Sequence, residues 1–438
     1  MGEHNLSLPK LSGKLKAVMV HALATFIAIL TTLLAVAGMG YFLAAMMAAR
    51  RFLTERRAPL MAFAPGVSVL KSLKGLDPGM IDAFRSHCRQ SYAGEYELLF
   101  GVASLCDPAV AAVKQLQAEF PALTIRLVEC PERLGTNGKV STLIQLAPHA
   151  RHDFLLINDS DITVSPLYLE RVMACFAPST DDLLQFKENP VGVKGTGFSP
   201  YINSANSERA LAPEVGLVTA LYRGRAHGTW PSRFEALGIA TDFQAGVLLS
   251  KWIEGGLHYG LGSTLAVRRE ALDKIGGLLP LVDHLADDYE LGARVDAAGY
   301  RVALSAEVVE TAIPAYNWRG FFDHQLRWER AVRDARPWGY FGLIFTHGFV
   351  WALVNVLASG ASPLSLWLLG LSFFLRLALA MTVGAAVLAD REVLPFLWLL
   401  PKRDLIAMGL WVAGFAGNTI VWRGERFALK GGKLAKTG

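Results

Sequence analysis

Residues 154–161 read Phe-Leu-Leu-Ile-Asn-Asp-Ser-Asp, a short apolar run that ends in two carboxylates. The four large apolar residues predict a buried strand, and the polar residues after them predict a loop at its carboxyl end. Ligands of parallel α/β sheets bind at that end. Carboxylates are preferred ligands of Mg²⁺ and Mn²⁺. Asp159 and Asp161 are therefore candidate metal ligands, although Asp and Ser are also common in turns.

The sequence before this stretch alternates between two patterns. Three more apolar, β-rich runs lie at 67–70, 96–102 and 124–128. Helical patterns separate the four runs, at 80–90, 109–119 and 139–146. Strands that alternate with helices predict an α/β domain with a mostly parallel, Rossmann-like sheet over roughly 60–335.

Apolar residues concentrate at the two ends of the chain. Of 438 residues, 52% are hydrophobic and 18% are charged, and the formal net charge is +5. This composition excludes a disordered chain and a nucleic-acid binder that depends on bulk positive charge. A bilayer core requires about 20 apolar residues in a helix. The sequence predicts such spans at about 18–48, 339–359, 363–389 and 404–422.

The charges that flank these spans bear on topology. The first span is too long for a signal-peptide core, so we expect an uncleaved anchor. Arginines follow it, which favours a cytoplasmic middle region. The basic tail after residue 422 also favours the cytoplasm, yet three C-terminal spans would place it outside, so the topology stays open. Arg376 lies within the span 363–389, where it is either functional or turned toward other helices or a lipid headgroup.

A second acidic cluster reads Leu-Ala-Asp-Asp-Tyr-Glu-Leu-Gly at 285–292. Acids in the first turn of a helix ordinarily complement its dipole. The alternative is a general base, a carboxylate that removes a proton from an attacking hydroxyl.

A basic and aromatic segment at 313–338 contains His324-Gln325-Leu326-Arg327-Trp328. Its pattern is typical of an amphipathic helix at a membrane interface. A guanidinium also binds phosphate oxygens in a fork, so Arg327 is a candidate diphosphate ligand.

In chain order, Asp107, Asp159, Asp288 and the pair Arg327-Trp328 resemble the D1, D2, D3 and (Q/R)xxRW series of the ceramide glucosyltransferase family. Further matches lie at 67–78, 135–140, 215–224 and 267–272. Segments that look closest to the bacterial hopanoid-biosynthesis branch lie at 285–292, 324–328 and 419–424. The family consists of inverting, membrane-bound GT-A glycosyltransferases. The resemblance therefore implies an α/β GT-A domain flanked by transmembrane helices.

The resemblance also implies a role for each matching residue. The nucleotide sugar would be bound by Lys71, Asp77, Asp107, Asp159, Asp161 and His324. Asp159 and Asp161 would hold a divalent metal ion, Mg²⁺ or Mn²⁺. Asp288 would be the catalytic base, and Arg327 and Trp328 would close on the diphosphate and the acceptor. His324 departs from the family pattern, which has Gln or Arg at that position.

These observations predict an inverting glycosyltransferase that moves a hexose or N-acetylhexosamine from a UDP-sugar to a membrane lipid. The expected acceptor is a hopanoid, with ceramide as the alternative and a processive polysaccharide synthase as a more distant one. A membrane scaffold or transporter would require a broken site. The expected location is the inner membrane of a bacterium, with no nucleic-acid partner.

The predicted organisation has four parts. They are a membrane anchor at 1–57, a cytoplasmic catalytic domain at 58–312, the interfacial segment at 313–338, and a transmembrane region with a basic tail at 339–438. The stretch 187–213, rich in Gly, Ser, Asn and Pro, is an unassigned insertion, for which a lid or an acceptor-recognition element is one guess.

Overall fold

A computed structural model describes residues 13–57, 59, 61–178, 214–422 and 425–436. The unassigned stretch 187–213 lies outside these residues.

An eight-stranded sheet forms the centre of the molecule. Its strands are β1 (Val67–Leu73), β2 (Tyr96–Val102), β3 (Thr124–Glu129), β4 (Phe154–Ile157), β5 (Ile162–Thr163), β6 (Val215–Ala226), β7 (Leu265–Arg268) and β8 (Arg301–Ile313). The strand order is β3-β2-β1-β4-β7-β6-β8-β5. Strands β3, β2, β1 and β4 are parallel, whereas β7 runs antiparallel to both β4 and β6. The four predicted strands are confirmed as the parallel half, and the α/β class is confirmed with a mixed second half.

Helices cover the sheet and continue beyond it. The α-helices of the catalytic domain span Met80–Cys88, Ala109–Glu119, Gly138–Leu146, Tyr168–Met173, Trp230–Gly238, Gln244–Ile253, Arg269–Lys274 and Asp287–Ala297. Trp318–Ala335 forms an 18-residue helix within the predicted interfacial segment, and we call it the amphipathic helix. Its first turn is capped by Asn317, whose Oδ1 accepts a hydrogen bond from the Gly320 N–H at 2.8 Å, which satisfies a donor that the helix itself leaves free.

The strands bury alternating side chains on the two faces of the sheet. On β4, Leu156 belongs to one apolar cluster, while Leu155 and Ile157 belong to the other. This period of two is the geometry of a pleated strand with both faces covered. The second cluster also contains Phe42 and Val387 from the helices that flank the domain. The domain and those helices therefore share one core.

Among the described residues, two helices are long and apolar enough to cross a membrane, Val18–Glu55 and Pro363–Val387. Helices Pro337–Thr346 and Gly348–Ala358 form a pair bent by 57°, which is a third candidate if the pair is one span. Gly38 of the N-terminal helix (Gly13–Glu55) meets Gly348 at backbone distance, since a Cβ on Gly38 would lie 2.2 Å from the Gly348 Cα. Such contacts between small residues are typical of packed membrane helices.

The predicted span at 404–422 is wrong. Leu400–Gly414 form a helix of 15 residues, about 22 Å long at 1.5 Å per residue, which is shorter than a bilayer core of about 30 Å. The chain then turns at Gly417, whose φ is +72°, and enters a strand at Thr419.

The end of the predicted span and the predicted basic tail together form a second, antiparallel sheet. Its strands are β9 (Thr419–Trp422), β10 (Glu425–Lys430) and β11 (Lys433–Lys436), in the order β11-β10-β9. We call it the C-terminal sheet. It pairs with the loop before the helix Asp287–Ala297, where the Leu285 N–H donates to the Gly432 carbonyl at 3.0 Å and the Leu434 N–H donates to the Asp283 carbonyl at 2.7 Å.

Candidate active site

The loop after β4 is held in place by a buried lysine. Lys71 is 1% exposed, and its Nζ donates to Asn158 Oδ1 at 2.7 Å and to the Asp159 carbonyl at 2.9 Å. Burial lowers the pKa of Lys71 to about 7, although the charges of Asp161 and Asp159 oppose this shift. The structure thus gives Lys71 a positioning role under the loop. Its direct contact with a nucleotide stays a prediction.

Asp161 lies beside Asp159 and beneath β8. Its Oδ2 accepts a hydrogen bond from the Thr311 hydroxyl at 2.5 Å. Burial and then the charge of Asp159 raise the pKa of Asp161 to about 6. This mutual destabilisation of two carboxylates is what a divalent cation relieves.

The donor set around Asp159 and Asp161 fits a magnesium-type site that is completed by substrate. Within the described part of the chain, no group of three or more His, Cys, Asp or Glu residues is placed to hold a metal ion. Mg²⁺ is commonly bound by one or two carboxylates together with substrate phosphates. The two aspartates therefore suffice only when phosphate oxygens supply further ligands.

Asp107 and Asp77 join the loops that follow β1, β2 and β4. Both oxygens of Asp107 accept from the Gly75 N–H at 3.0 Å, and Oδ1 also accepts from the Ala109 N–H at 2.9 Å. Gly75 has φ +73°, a conformation that favours glycine. Asp77 accepts a hydrogen bond from the Ser160 hydroxyl. These contacts bring Asp77 and Asp107, two of the residues predicted to bind the nucleotide sugar, to the same edge of the sheet as Asp159.

Lys139 joins the two acidic clusters, although it is not among the site residues predicted from the sequence. Its Nζ lies 2.8 Å from Asp159 Oδ1 and 3.4 Å from Asp287 Oδ2. Burial disfavours its charge, but the carboxylates of Asp159 and Asp287 outweigh burial and raise its pKa. The only signal in the sequence was its place in the family-like segment at 135–140.

Asp288 lies at the start of the helix Asp287–Ala297, against a glycine-rich loop. Its Oδ2 accepts from the Gly262 N–H at 2.8 Å. Burial and then the charge of Asp287 raise the pKa of Asp288 to about 6, while Lys139 opposes the shift. A carboxylate with such a pKa is suited to proton transfer near neutral pH.

The amphipathic helix contributes His324 and Trp328 to an aromatic wall. The wall consists of Tyr222, Phe243, Trp328, His324 and Tyr316, with successive ring centroids 5.7, 6.3, 4.8 and 5.4 Å apart. His324 Nδ1 lies 3.0 Å from Glu235 Oε2, and Glu235 is 3% exposed. In this arrangement His324 pairs with a buried carboxylate, so its contact with phosphate stays a prediction.

The wall lies close to the predicted catalytic acids. Burial raises the pKa of Tyr222, and the charges of Asp288, Glu235, Asp159 and Asp161 raise it further. Burial also raises the pKa of Tyr316, which lies within electrostatic reach of Arg327, Asp161 and Asp77. The structure therefore brings Asp159, Asp161 and Asp288 within electrostatic reach of Tyr222, beside the rings of the amphipathic helix.

Arg327 points toward the C-terminal sheet. Its guanidinium lies 6.0 Å from the ring centroid of Trp422, within the range of a cation–π contact. No pattern in the sequence indicates this contact or the positions of Glu235 and Tyr222 in the site, because each depends on packing between distant segments.

A sequence model of glycosyl transferase family 21 matches residues 30–206 and 201–435. The chain belongs to glycosyl transferase family 21. The expected kinship with ceramide glucosyltransferases is thus confirmed, whereas the finer assignment to the hopanoid branch stays a prediction.

Two curated relatives of this family 21 protein are ceramide glucosyltransferases from Caenorhabditis elegans. Ceramide glucosyltransferase 3 is 26% identical over 265 residues, which are 60% of this chain and 50% of that protein. Ceramide glucosyltransferase 1 is 21% identical over 384 residues, which are 85% of this chain and 73% of that protein. The chain thus spans about half the length of the first of these relatives.

A solved structure with a similar chain trace is the mannosyltransferase PcManGT from Pyrobaculum calidifontis in complex with GDP-Man and Mn²⁺. It is 18% identical with a TM-score of 0.47, and the match covers 89% of this chain and 97% of that one.

Proposed function

We propose that this family 21 protein transfers a hexose from a UDP-sugar to the hydroxyl of a membrane lipid, with inversion at the anomeric carbon. The observation that carries the proposal is the meeting of Asp159, Asp161 and Asp288 beside an aromatic wall built partly from the amphipathic helix. A reaction between a water-soluble donor and a lipid acceptor requires a site that both substrates can reach, and we expect the amphipathic helix to place this site next to the membrane.

On the donor side, Asp159 and Asp161 would hold a divalent cation, which as a Lewis acid stabilises the negative charge of the departing diphosphate. Lys139 keeps the Asp159 carboxylate oriented toward the helix Asp287–Ala297. Asp107 and Asp77 fix the loops that would receive the base and ribose. Arg327 is our candidate for a further diphosphate contact.

On the acceptor side, Asp288 takes the proton of the lipid hydroxyl. The hydroxyl oxygen forms a bond to the anomeric carbon while the bond from that carbon to the UDP oxygen breaks, so UDP leaves with the electron pair. One displacement inverts the centre and requires no covalent intermediate on the protein. The backbone N–H of Gly262 orients the Asp288 carboxylate for this step.

The matched relatives favour ceramide as the acceptor over the hopanoid. They are named ceramide glucosyltransferases. The aromatic wall suits an acceptor that is partly apolar, because aromatic rings bury large areas and also pack against polar groups. We also propose that the protein lies in the inner membrane of a bacterium, with its catalytic domain in the cytoplasm.

The test is a transfer assay with the full chain in lipid nanodiscs, with UDP-glucose or UDP-N-acetylglucosamine as donor. Ceramide and bacteriohopanetetrol are offered as acceptors, and mass spectrometry identifies the products. We expect monoglycosylated ceramide. A hopanoid product alone would instead establish the other acceptor, and a polymer would establish a synthase.

The assignment of the base is tested with Asp288→Asn in the same assay. We expect the transfer rate to fall by about 10²- to 10⁴-fold, with donor binding retained by calorimetry. Asp296→Asn is the matched control, because Asp296 lies on the same helix and pairs with His258 at 3.0 Å instead. Transfer by Asp288→Asn at the wild-type rate would rule out Asp288 as the base.

A further inference from the structure

Arg376 is a buried charge within the candidate span Pro363–Val387. It is 2% exposed, and its guanidinium makes two separate carboxylate contacts. Nε donates to Asp404 Oδ2 at 3.0 Å, and NH2 donates to Asp404 Oδ1 at 2.9 Å and to Asp242 Oδ1 at 2.5 Å. The same guanidinium donates to the Thr241 carbonyl at 3.3 Å. The structure thus shows Arg376 turned toward other parts of the protein.

The two carboxylates belong to different parts of the molecule. Asp404 lies in the helix Leu400–Gly414, next to the membrane helices. Asp242 lies in the catalytic domain, in a wide π-helical turn over Ile239–Phe243. Such turns are rare and occur frequently at functional sites. A second π-helical turn, Met381–Val387, ends the span and packs on the first, where a Cβ on Gly384 would lie 3.7 Å from the Ala240 carbonyl.

The residue after Asp242 belongs to the aromatic wall. The Phe243 ring lies between those of Tyr222 and Trp328, with centroids 5.7 and 6.3 Å away. Gln244 continues the link, because its Nε2 donates to the Tyr222 carbonyl at 2.9 Å. A shift of this turn would therefore move Phe243 relative to Trp328.

We propose that Arg376, through Asp242, is a positioning residue that sets the Phe243 side of the aromatic wall and thereby the fit of the lipid acceptor. The inference rests on the proposed function, since it assigns the wall to the acceptor. Asp404 alone would suffice to neutralise the buried charge of Arg376. The second contact, to Asp242, adds a tie between the span and the catalytic domain.

The experiment compares Asp242→Asn with Asp404→Asn, which remove one negative charge each from the same arginine. Asp242→Asn removes the charge from the contact between Arg376 and the catalytic domain and so weakens that tie, while the hydrogen bonds of Arg376 to Thr241 and its pairing with Asp404 remain. Asp404→Asn is the matched control, since Arg376 keeps Asp242. Both variants are measured in nanodiscs for acceptor KM, kcat, donor binding and thermal unfolding.

We expect Asp242→Asn to raise the acceptor KM by about three- to thirtyfold, with donor binding unchanged. Asp404→Asn should lower thermal stability at least as much and leave the acceptor KM near the wild-type value. Equal changes in acceptor KM for the two variants, or no change in either, would overturn the proposal.

Hydrogen exchange gives a readout that does not depend on activity. Amides of residues 239–247 should exchange faster in Asp242→Asn than in the wild type or in Asp404→Asn, because the turn loses its only ionic contact with Arg376 and keeps only the neutral hydrogen bonds at Thr241. Unchanged exchange in this segment would also overturn the proposal. A wild-type protein that transfers no sugar to lipid would refute the proposed function, whereas the exchange result would still test the tie itself.

Discussion

The carboxylates of this site are tuned by their surroundings. Asp288 and Asp161 each have a pKa raised to about 6, in both cases first by burial and then by a neighbouring aspartate. Lys139 lies between the two clusters and partly compensates their charge. Asp288 and Asp161 should therefore take up protons as the pH falls through about 6.

The raised pKa of Asp288 predicts an acidic limit to activity. A base must be ionised to accept a proton, and Asp288 becomes protonated as the pH falls through about 6. We expect kcat/KM to fall by about tenfold for each pH unit below about 6, measured from initial transfer rates. Donor binding, measured in parallel, separates Asp288 from Asp161, whose protonation would weaken the binding of the nucleotide sugar. A rate that stays level down to about pH 5 would contradict this assignment.

The position of Lys139 predicts a loss of activity when its charge is removed. In Lys139→Met, Asp159 and Asp287 lose their shared cation, so we expect a decrease of roughly ten- to a hundredfold in transfer rate. Lys114→Met is the control, because Lys114 is exposed on the helix Ala109–Glu119. If both variants retain full activity, the bridge is not required.

The helix Asp287–Ala297 owes its position to close backbone contact. A Cβ on Gly292 would lie 2.1 Å from the Gly260 nitrogen and 2.4 Å from the Tyr259 carbonyl carbon. The helix therefore packs directly on the loop whose Gly262 N–H binds Asp288. The C-terminal sheet supports the other side, through the backbone pairing of Leu285 with Gly432.

This packing predicts opposite effects of two Gly→Ala changes. Gly292→Ala should destabilise the protein by about 1–3 kcal/mol, because backbone atoms cannot yield as a flexible side chain does. Gly246→Ala lies in the helix Gln244–Ile253, where a Cβ meets nothing within 4 Å, and it should stabilise by about 0.4–1 kcal/mol. Thermal unfolding in detergent measures both. An unchanged midpoint for Gly292→Ala would show that the loop can move away.

The catalytic domain and the membrane helices form one packed unit. Phe42 and Phe52 of the N-terminal helix share an apolar cluster with Leu248 and Val387. Arg56 donates to the Val387 carbonyl at 3.0 Å, and Arg223 of β6 donates to the Leu388 carbonyl at 2.7 Å. The end of the span Pro363–Val387 is thus fixed to the domain.

The C-terminal sheet predicts on which side of the membrane the tail lies. Since it pairs with Asp283 and Leu285, the tail must lie on the side of the catalytic domain, which requires an even number of crossings after the amphipathic helix. Each test protein carries a single cysteine, either the exposed native Cys106 or a cysteine introduced by Lys433→Cys. An impermeant maleimide should label both proteins from the same side of the membrane. Ala361→Cys lies in the turn between the bent helix pair that ends at Ala358 and the candidate span Pro363–Val387. It should be labelled from the opposite side of the membrane. Labelling of positions 433 and 106 from opposite sides would contradict this topology.

Much of the fold was predictable because its signals are local. Strands β1–β4 are recognisable in the sequence as short β-rich runs. Asp159 and Asp161 directly follow one of these runs, so their position at the end of a strand could be predicted from proximity along the chain. The long apolar helix near the N-terminus was predictable for the same reason, since length and hydropathy are properties of one segment. The prediction of a span at 404–422 failed because an apolar run of moderate length is also compatible with a shorter packed helix followed by a strand.

The sequence alone established the α/β class, the long apolar segment near the N-terminus, and the order of acids along the chain, because each depends on local patterns in the sequence. The folded chain alone showed that Lys139 joins Asp159 to Asp287, that His324 pairs with Glu235, and that Arg376 reaches Asp242. Each of these contacts joins residues 20 to more than 130 positions apart. Such pairs are fixed by how the helices pack on the sheet and on one another, which no local pattern records.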